Sequence, residues 1–256
     1  MNNKNEDDLL IAKIMDKKRS CDTKNKITYS DFLNEREQMI VTKNIRPDNA
    51  FFFGGNDNAD RKILIFCPDK LNEEIVRKTM DSILSVIRIS LPNEKRGEYE
   101  HKMYLSAIIK IGIERSKVGD ILVFEDGADI ITFETNKDYI KQGLSELTRF
   151  RKAKISIDSI FNIREKEDNF EETTIIVSSM RCDNIVSEIA GCSRNKACEY
   201  IETERVLVNY EVISKPSRMV NINDVITIRG KGKFIVDEII KNTRNDRLVL
   251  KIKRYT

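Results

Sequence analysis

The chain has 256 residues, 40% of them apolar, and 45 Lys+Arg against 42 Asp+Glu leave a net charge of only +3. That apolar share fills two or three small cores, and the near balance of charge excludes a histone-like coat of nucleic acid, so any basic patch is local. No run approaches the ~18 apolar residues of a membrane span, the acidic opening MNNKNEDDLL is unlike a signal peptide, and a soluble, cytoplasmic protein with no membrane partner is expected.

The five cysteines, Cys21, Cys67, Cys182, Cys192 and Cys198, contain no C-x-x-C pair, and His101 is the single histidine. Such usage points away from zinc sites and disulfide frameworks and toward small buried hydrophobes in a reducing compartment. Ser-His-Asp or Cys-His catalysis has one histidine to rest on. No catalytic residue, metal or cofactor is predicted.

In chain order, residues 6–19 set Leu9, Leu10 and Ile14 at near-helical spacing, acids first and bases last, as the helix dipole prefers. A second helix is predicted from the cap-type residues Thr28 and Ser30, carrying Phe32, Leu33, Met39 and Ile40 and ending near Arg46-Pro47. Phe51, Phe52 and Phe53, then Gly54-Gly55, then KILIFC read as strand, turn and strand. Residues 1–61 are taken as an N-terminal helical segment.

From Ile83 the order becomes strand ILSVIRISL, helix EYEHKMYLSAIIKIGI, strands DILVFE and DIITFET around DGA, helix NKDYIKQGLSELTRF and strand KISIDSI. This β-α-β-β-α-β order defines a ferredoxin-like (RRM-like) middle domain over residues 62–165. Strand alternation groups Leu122 with Phe124, and Ile131 with Phe133. These aromatics are expected to meet the helices, leaving an outer face without the aromatic pair that stacks single-stranded bases, so the domain reads as a scaffold. His101, on a helix facing that sheet, reads as structural.

Residues 181–256 hold 15 Lys+Arg and 10 Asp+Glu, a net +5 against −2 for the rest, and the acidic EKEDNFEE at 165–172 is the boundary expected before a domain over 173–256. There Ile185, Val186 and Ile189 form a helical stripe that stops at Gly191, and Ser193 caps a second helix with Arg194 and Lys196 in its first turn. RVLVN, VISKPS and VITIRG read as strands, and a β-hairpin closes the chain. Unbonded N–H groups at a helix N-terminus, joined by the Ser193 hydroxyl and two cations, suit phosphate. Arg181, Arg205 and Lys215 extend that charge across a backbone groove, or each is a solvated surface charge.

Arg181-Cys182-Asp183, Ser193-Arg194, Val206-Leu207-Val208-Asn209, Pro216 and Asn223-Asp224-Val225-Ile226 resemble the S4 (αL) RNA-binding domain of ribosomal protein S4, pseudouridine synthases and bacterial tyrosyl-tRNA synthetases. Its pattern is R-L-D, S-R, V-x-V-N-G, a proline and G-D-x-I, from which Cys182, Tyr210 and Asn223 depart. RGKGKF at 229–234, TRNDRLVLKIKRY, SDFLNERE, the stretch from Gly54-Gly55 to Ala59-Asp60-Arg61 and HKMYLSAIIKIGIERSKVGDILV extend the resemblance along nearly the whole chain, to YlmH-type bacterial S4-domain proteins. That family's middle motif, H-R-D-F-L-G-A, fits His101 and Leu105 but not Lys102, Met103 or Ser106.

The resemblance implies an α+β, monomeric, non-enzymatic RNA-binding protein that takes no small-molecule substrate. Its implied partners are rRNA of the large ribosomal subunit and tRNA, and its implied setting is ribosome-associated quality control of stalled nascent chains. On this implication Arg181, Arg194 and Lys196 clamp phosphates, Ser193 fixes the helix corner, Arg205 and Lys215 widen the contact, and the Arg229, Lys231 and Lys233 hairpin adds backbone contacts. One alternative is an RNA-modifying enzyme related to S4-containing pseudouridine synthases. Those enzymes resemble one another in a catalytic aspartate within G/H-R-L-D in a separate domain, whereas here the triplet of that kind, Arg181-Cys182-Asp183, lies within the S4 segment itself. Another is a protein-docking role for the middle domain.

Overall fold

The computed structural model describes residues 2–45, 49–56, 59–69, 71–165, 170–243 and 246–255. They fold as two units, Met1–Lys166 and Glu167–Thr256. In the first, chain order is α1 (Asn2–Lys24), β1 (Thr28–Tyr29), α2 (Glu35–Asn44), β2 (Ala50–Phe53), β3 (Ile63–Phe66), α3 (Glu73–Arg77), β4 (Leu84–Ser90), α4 (His101–Lys110), β5 (Val118–Phe124), β6 (Gly127–Phe133), α5 (Lys137–Glu146) and β7 (Lys154–Ser159).

The first unit is built in four layers because β3 is apolar on both faces. Ile63 and Ile65 pack toward Phe32, Val86 and Ile131, while Leu64 and Phe66 pack toward Ile14 and Val41 of α1 and α2. A strand buried on both faces needs a layer on each side. The small sheet β1-β3-β2 therefore lies between the N-terminal helices and the antiparallel sheet β5-β6-β4-β7, whose other face carries α4 and α5. Order and direction in the larger sheet are those of the ferredoxin-like arrangement.

Three sequence-based expectations change here. Residues 61 and 62 do not divide domains: β2 on one side and β3 on the other are paired from Ala50↔Phe66 to Phe53↔Ile63. Thr28 enters a strand rather than capping a helix, and α2 starts later behind Asn34. The Asn34 Oδ1 accepts the Glu37 N–H at 3.0 Å and the Glu37 carboxylate accepts the Asn34 N–H at 2.7 Å, a reciprocal capping box. The predicted end at Arg46-Pro47 lies outside the described residues.

The third change concerns the faces of the larger sheet. Ile121 and Ile130 meet α4 and α5, so Ile131 and Phe133 point the other way. Phe133 stacks on Tyr29 and tilts against Phe32, with ring centroids 5.5 and 5.0 Å apart. The face opposite the helices is thus filled by the small sheet, and Gly119 lets it approach: a Cβ there would stand 2.7 Å from the Phe32 ring. The remainder of this face is closed by ion pairs. Arg88 holds both carboxylate oxygens of the buried Asp129 at 3.0 and 2.9 Å and reaches Asp158 at 2.7 Å, and Arg164 binds Asp129 and Asp126. Burial pushes the Asp129 carboxyl upward, but the hydrogen bonds from Arg88 and Arg164 outweigh it and hold the group below the usual range.

The second unit contains β8 (Phe170–Val177), α6 (Cys182–Ala190), α7 (Arg194–Glu202), β9 (Val206–Val208), β10 (Glu211–Val212), β11 (Val225–Ile228), β12 (Gly232–Asn242) and β13 (Leu248–Tyr255). Its sheet, ordered β10-β9-β11-β12-β13-β8, packs one face on α6 and α7 through Ile185, Val186, Ile201, Val236 and Ile252. β8 was not foreseen. It begins inside the polar stretch read as a boundary, of which 166–169 lie outside the described residues, and pairs along β13 from Phe170↔Tyr255 to Val177↔Leu248. Among the described residues no helix is long and apolar enough to cross a membrane, and no group of three His, Cys, Asp or Glu is placed to hold a metal ion. The five cysteines are free, and burial pushes the Cys182 thiol up to about 12.

Candidate nucleic-acid interface

The α6–α7 corner follows from local sequence. Gly191 ends α6 in the left-handed conformation at φ 61, which glycine adopts without steric cost. Ser193, extended, caps α7 by accepting the Lys196 N–H at 3.3 Å, leaving the amides of Arg194 and Asn195 available. The N–H groups that begin α6 are spoken for: Cys182 donates to Arg218 O and Asp183 to Pro216 O. The anion-accepting terminus is therefore that of α7. Replacing the cap, Ser193→Ala, is expected to destabilise the second unit by about 1 kcal/mol, read by chemical unfolding.

One buried carboxylate organises the corner. Asp183 is only 1% exposed, and Arg181 reaches it through Nε at 3.1 Å and Nη2 at 2.7 Å. Arg194 comes from the next helix to Asp183 Oδ2 at 3.0 and 2.9 Å. Burial alone would raise the Asp183 carboxyl, but its hydrogen bonds from Arg181 and Arg194 win and lower it. Two guanidiniums on one carboxylate leave a surplus positive charge, and each arginine keeps its Nη1 outside these bonds. The arginines are 35% and 54% exposed at their side chains, so their unused edges meet solvent. This is a fixed pair of donors with the fork geometry that matches phosphate.

A second group gathers around Tyr200. The Arg205 guanidinium lies 4.5 Å and the Lys196 ammonium 5.5 Å from the ring centroid. Arg205 also donates to the Arg229 carbonyl at 3.1 Å, bringing the β11–β12 turn with Lys231 to this side. Lys196 is shared with Glu199 at 2.7 Å. Lys215 is exposed, beside the Pro216 carbonyl that receives the Asp183 N–H. The structure thus joins Arg181 with Arg194, and Lys196 with Arg205 and Arg229. It sets Lys233 apart: Phe234 and Val236 enter the helix-side core, so Lys233 points to the opposite face of the sheet, 5.2 and 4.5 Å from the Tyr210 and Tyr255 rings.

Motif residues that touch no cation hold the frame. Asn209 Nδ2 donates to Asp224 Oδ1 at 2.8 Å, and its Oδ1 accepts the Val225 N–H at 2.9 Å. Tyr210 and Asn223, standing where the S4 pattern has glycine, adopt φ 64 and 69. The turns keep the left-handed geometry that glycine would give more cheaply. Tyr200 was missed by sequence reasoning, although its place four residues after Lys196 puts both on one helix face.

Residues 180–226 match the S4 domain, and residues 78–162 match the family described as "Putative RNA-binding domain in YlmH". The fold and this corner define an S4-domain RNA-binding protein. The chain thus carries an S4 domain together with a domain similar to the one described for YlmH. The ribosome-associated protein quality control protein P2 of Bacillus subtilis (strain 168) is 28% identical over 243 residues, covering 93% of this chain and 91% of its own. The cell division protein ylmH from Streptococcus pneumoniae, a solved structure, is 19% identical with a TM-score of 0.46, over 60% of this chain and 90% of that one.

Proposed function

We propose that the chain is a cytoplasmic, monomeric, non-catalytic protein that binds the large ribosomal subunit through rRNA, contacts tRNA, and serves in quality control of stalled nascent chains. The observation that carries this reading is the arginine pair fixed on Asp183 beside the N-terminus of α7, a donor array shaped for a folded RNA backbone rather than for base edges. Arg181, Arg194 and Lys196 make the central phosphate contacts. Arg205, Lys215, Arg229 and Lys231 widen them, Ser193 sets the corner, and Lys233 adds a contact from the far face. The name of the Bacillus subtilis relative supports the ribosomal setting.

Co-sedimentation with purified large subunits over a salt series tests this. The unaltered chain is expected to pellet with subunits at low salt, and Arg194→Ala with Lys196→Ala to weaken binding by about tenfold, as loss of two phosphate contacts should. Unchanged sedimentation of that double variant contradicts the assignment of the corner. Mapping of modified bases after incubation with ribosomal RNA tests the non-catalytic part: new pseudouridines contradict it.

A further inference from the structure

The larger sheet of the first unit has the strand order of modules that read RNA bases on an open sheet face. Here that face is closed, by Phe32 and Tyr29 over Phe133 at one end and by Arg88, Asp129 and Arg164 at the other. Phe124, half-buried on the same face, lies under the Arg164 guanidinium at 3.9 Å, so the face offers no open aromatic pair for stacked bases.

At one end of the sheet two segments are tied into a rigid edge. The loop after β4 is folded back by Leu91 N–H to Asp126 O and Gly97 N–H to Glu125 O, both at 2.8 Å. The Tyr99 hydroxyl then donates to the Arg149 carbonyl at 3.0 Å, and the Tyr99 and Phe150 rings lie 5.8 Å apart, fixing this loop to the segment that leads into β7. Lys154 enters the sheet opposite Ser90, on the same edge.

Charge on this edge is unevenly spent. Lys95 pairs with Glu98 and Lys102 with Glu100, and the Arg149 guanidinium is engaged by the Met103 carbonyl and the Ser106 hydroxyl. Arg96, Arg151, Lys152 and Lys154 are exposed and form no ion pair among the described residues. Four uncommitted cations on a braced edge, against Glu94 and Glu125 as the local acids that form no ion pair among the described residues, favour a polyanion. The aromatics here are used inside the edge: Tyr104 and Phe150 are buried and stacked, and Tyr99 packs against both. Phosphates, not stacked bases, are what the edge can take.

We propose that this edge of the first unit is a second RNA contact, gripping the phosphate backbone through Arg96, Arg151, Lys152 and Lys154. The proposal rests on the RNA-binding reading given above and adds a site remote in sequence from the S4 corner.

The test compares the full chain with Arg151→Gln/Lys152→Gln/Lys154→Gln in binding to purified large ribosomal subunits across a salt series. A charge-matched control, Lys13→Gln/Lys24→Gln/Lys26→Gln, removes three exposed lysines around α1. The edge variant is expected to bind about tenfold or more weakly at 0.1 M salt and to lose about 2 from the slope of log K against log salt. The control is expected to change binding by less than about twofold, since charges beyond a Debye length of roughly 10 Å are screened. An edge variant that matches the control overturns the second contact and leaves the S4 corner standing. The same holds if the variant keeps its subunit affinity and loses only binding to phosphatidylglycerol vesicles, which would assign the edge to a lipid surface. No binding by the unaltered chain overturns both readings.

Discussion

Asp183→Asn is expected to destabilise the second unit by about 2–3 kcal/mol and to weaken large-subunit binding at the same time. The carboxylate is buried and receives four guanidinium N–H bonds. Removing one partner of a buried ion pair typically costs about 3–5 kcal/mol, but both arginines are partly exposed and regain water, which trims the loss. The sign of the pH dependence follows. The folded carboxyl lies below the ordinary range, burial being outweighed by Arg181 and Arg194. Its contribution is therefore complete above the unfolded carboxylate pKa and is lost as pH falls through the lower folded value. Urea unfolding of the unaltered chain should show this loss below about pH 4, and the Asn variant should lack it. Equal stability of the two proteins at pH 7 contradicts the structural role given to Asp183.

Phe32→Ala is expected to cost about 3–5 kcal/mol and to weaken the whole of the first unit together. Phe32 is 1% exposed, touches Phe133 of the larger sheet, and sits over Gly119. Its N–H donates to Ser116 O at 2.9 Å, and Arg61 spans the same junction through the Phe32 and Val118 carbonyls. Hydrogen exchange at β4 and β6 should accelerate by the same free energy as exchange at β3. Acceleration at β3 alone would mean that the N-terminal segment is a separate domain.

The ferredoxin-like order and the α6–α7 corner were legible because each rests on local signals: long apolar strands such as ILSVIRISL, helices of regular period, Gly191 and Ser193 at a tight turn. What was not legible depends on partners distant in sequence. Alternation along β6 says that Ile130 and Ile131 face opposite ways, but not which face meets helices, because both are apolar and both are buried. The second layer over Phe133 is supplied by residues about a hundred positions earlier. β8 escaped notice for the opposite reason. It is an edge strand whose residues Glu171 to Thr174 are exposed, so its polar pattern reads as a linker, while its pairing rests on β13 and on the Glu172–Lys251 ion pair at 3.0 Å. In the S4 segment the motif positions were visible, but the division of labour was not: Asp183 locks the arginines and Asn209 locks the turns, while the cations face outward.

The corner also carries its own reporter, since Tyr200, Cys192 and Cys198 are half-buried on or beside α7, and tyrosine and cysteine are photoreactive toward RNA bases. Ultraviolet crosslinking of the full chain to purified large subunits, followed by mapping of the RNA-bearing peptides, therefore bears most directly on whether the α6–α7 turn meets RNA. Crosslinked peptides from residues 181–205, lost in the Arg194→Ala/Lys196→Ala variant, are the predicted result. Efficient crosslinking confined to peptides outside 181–205, and undiminished in that variant, would contradict it.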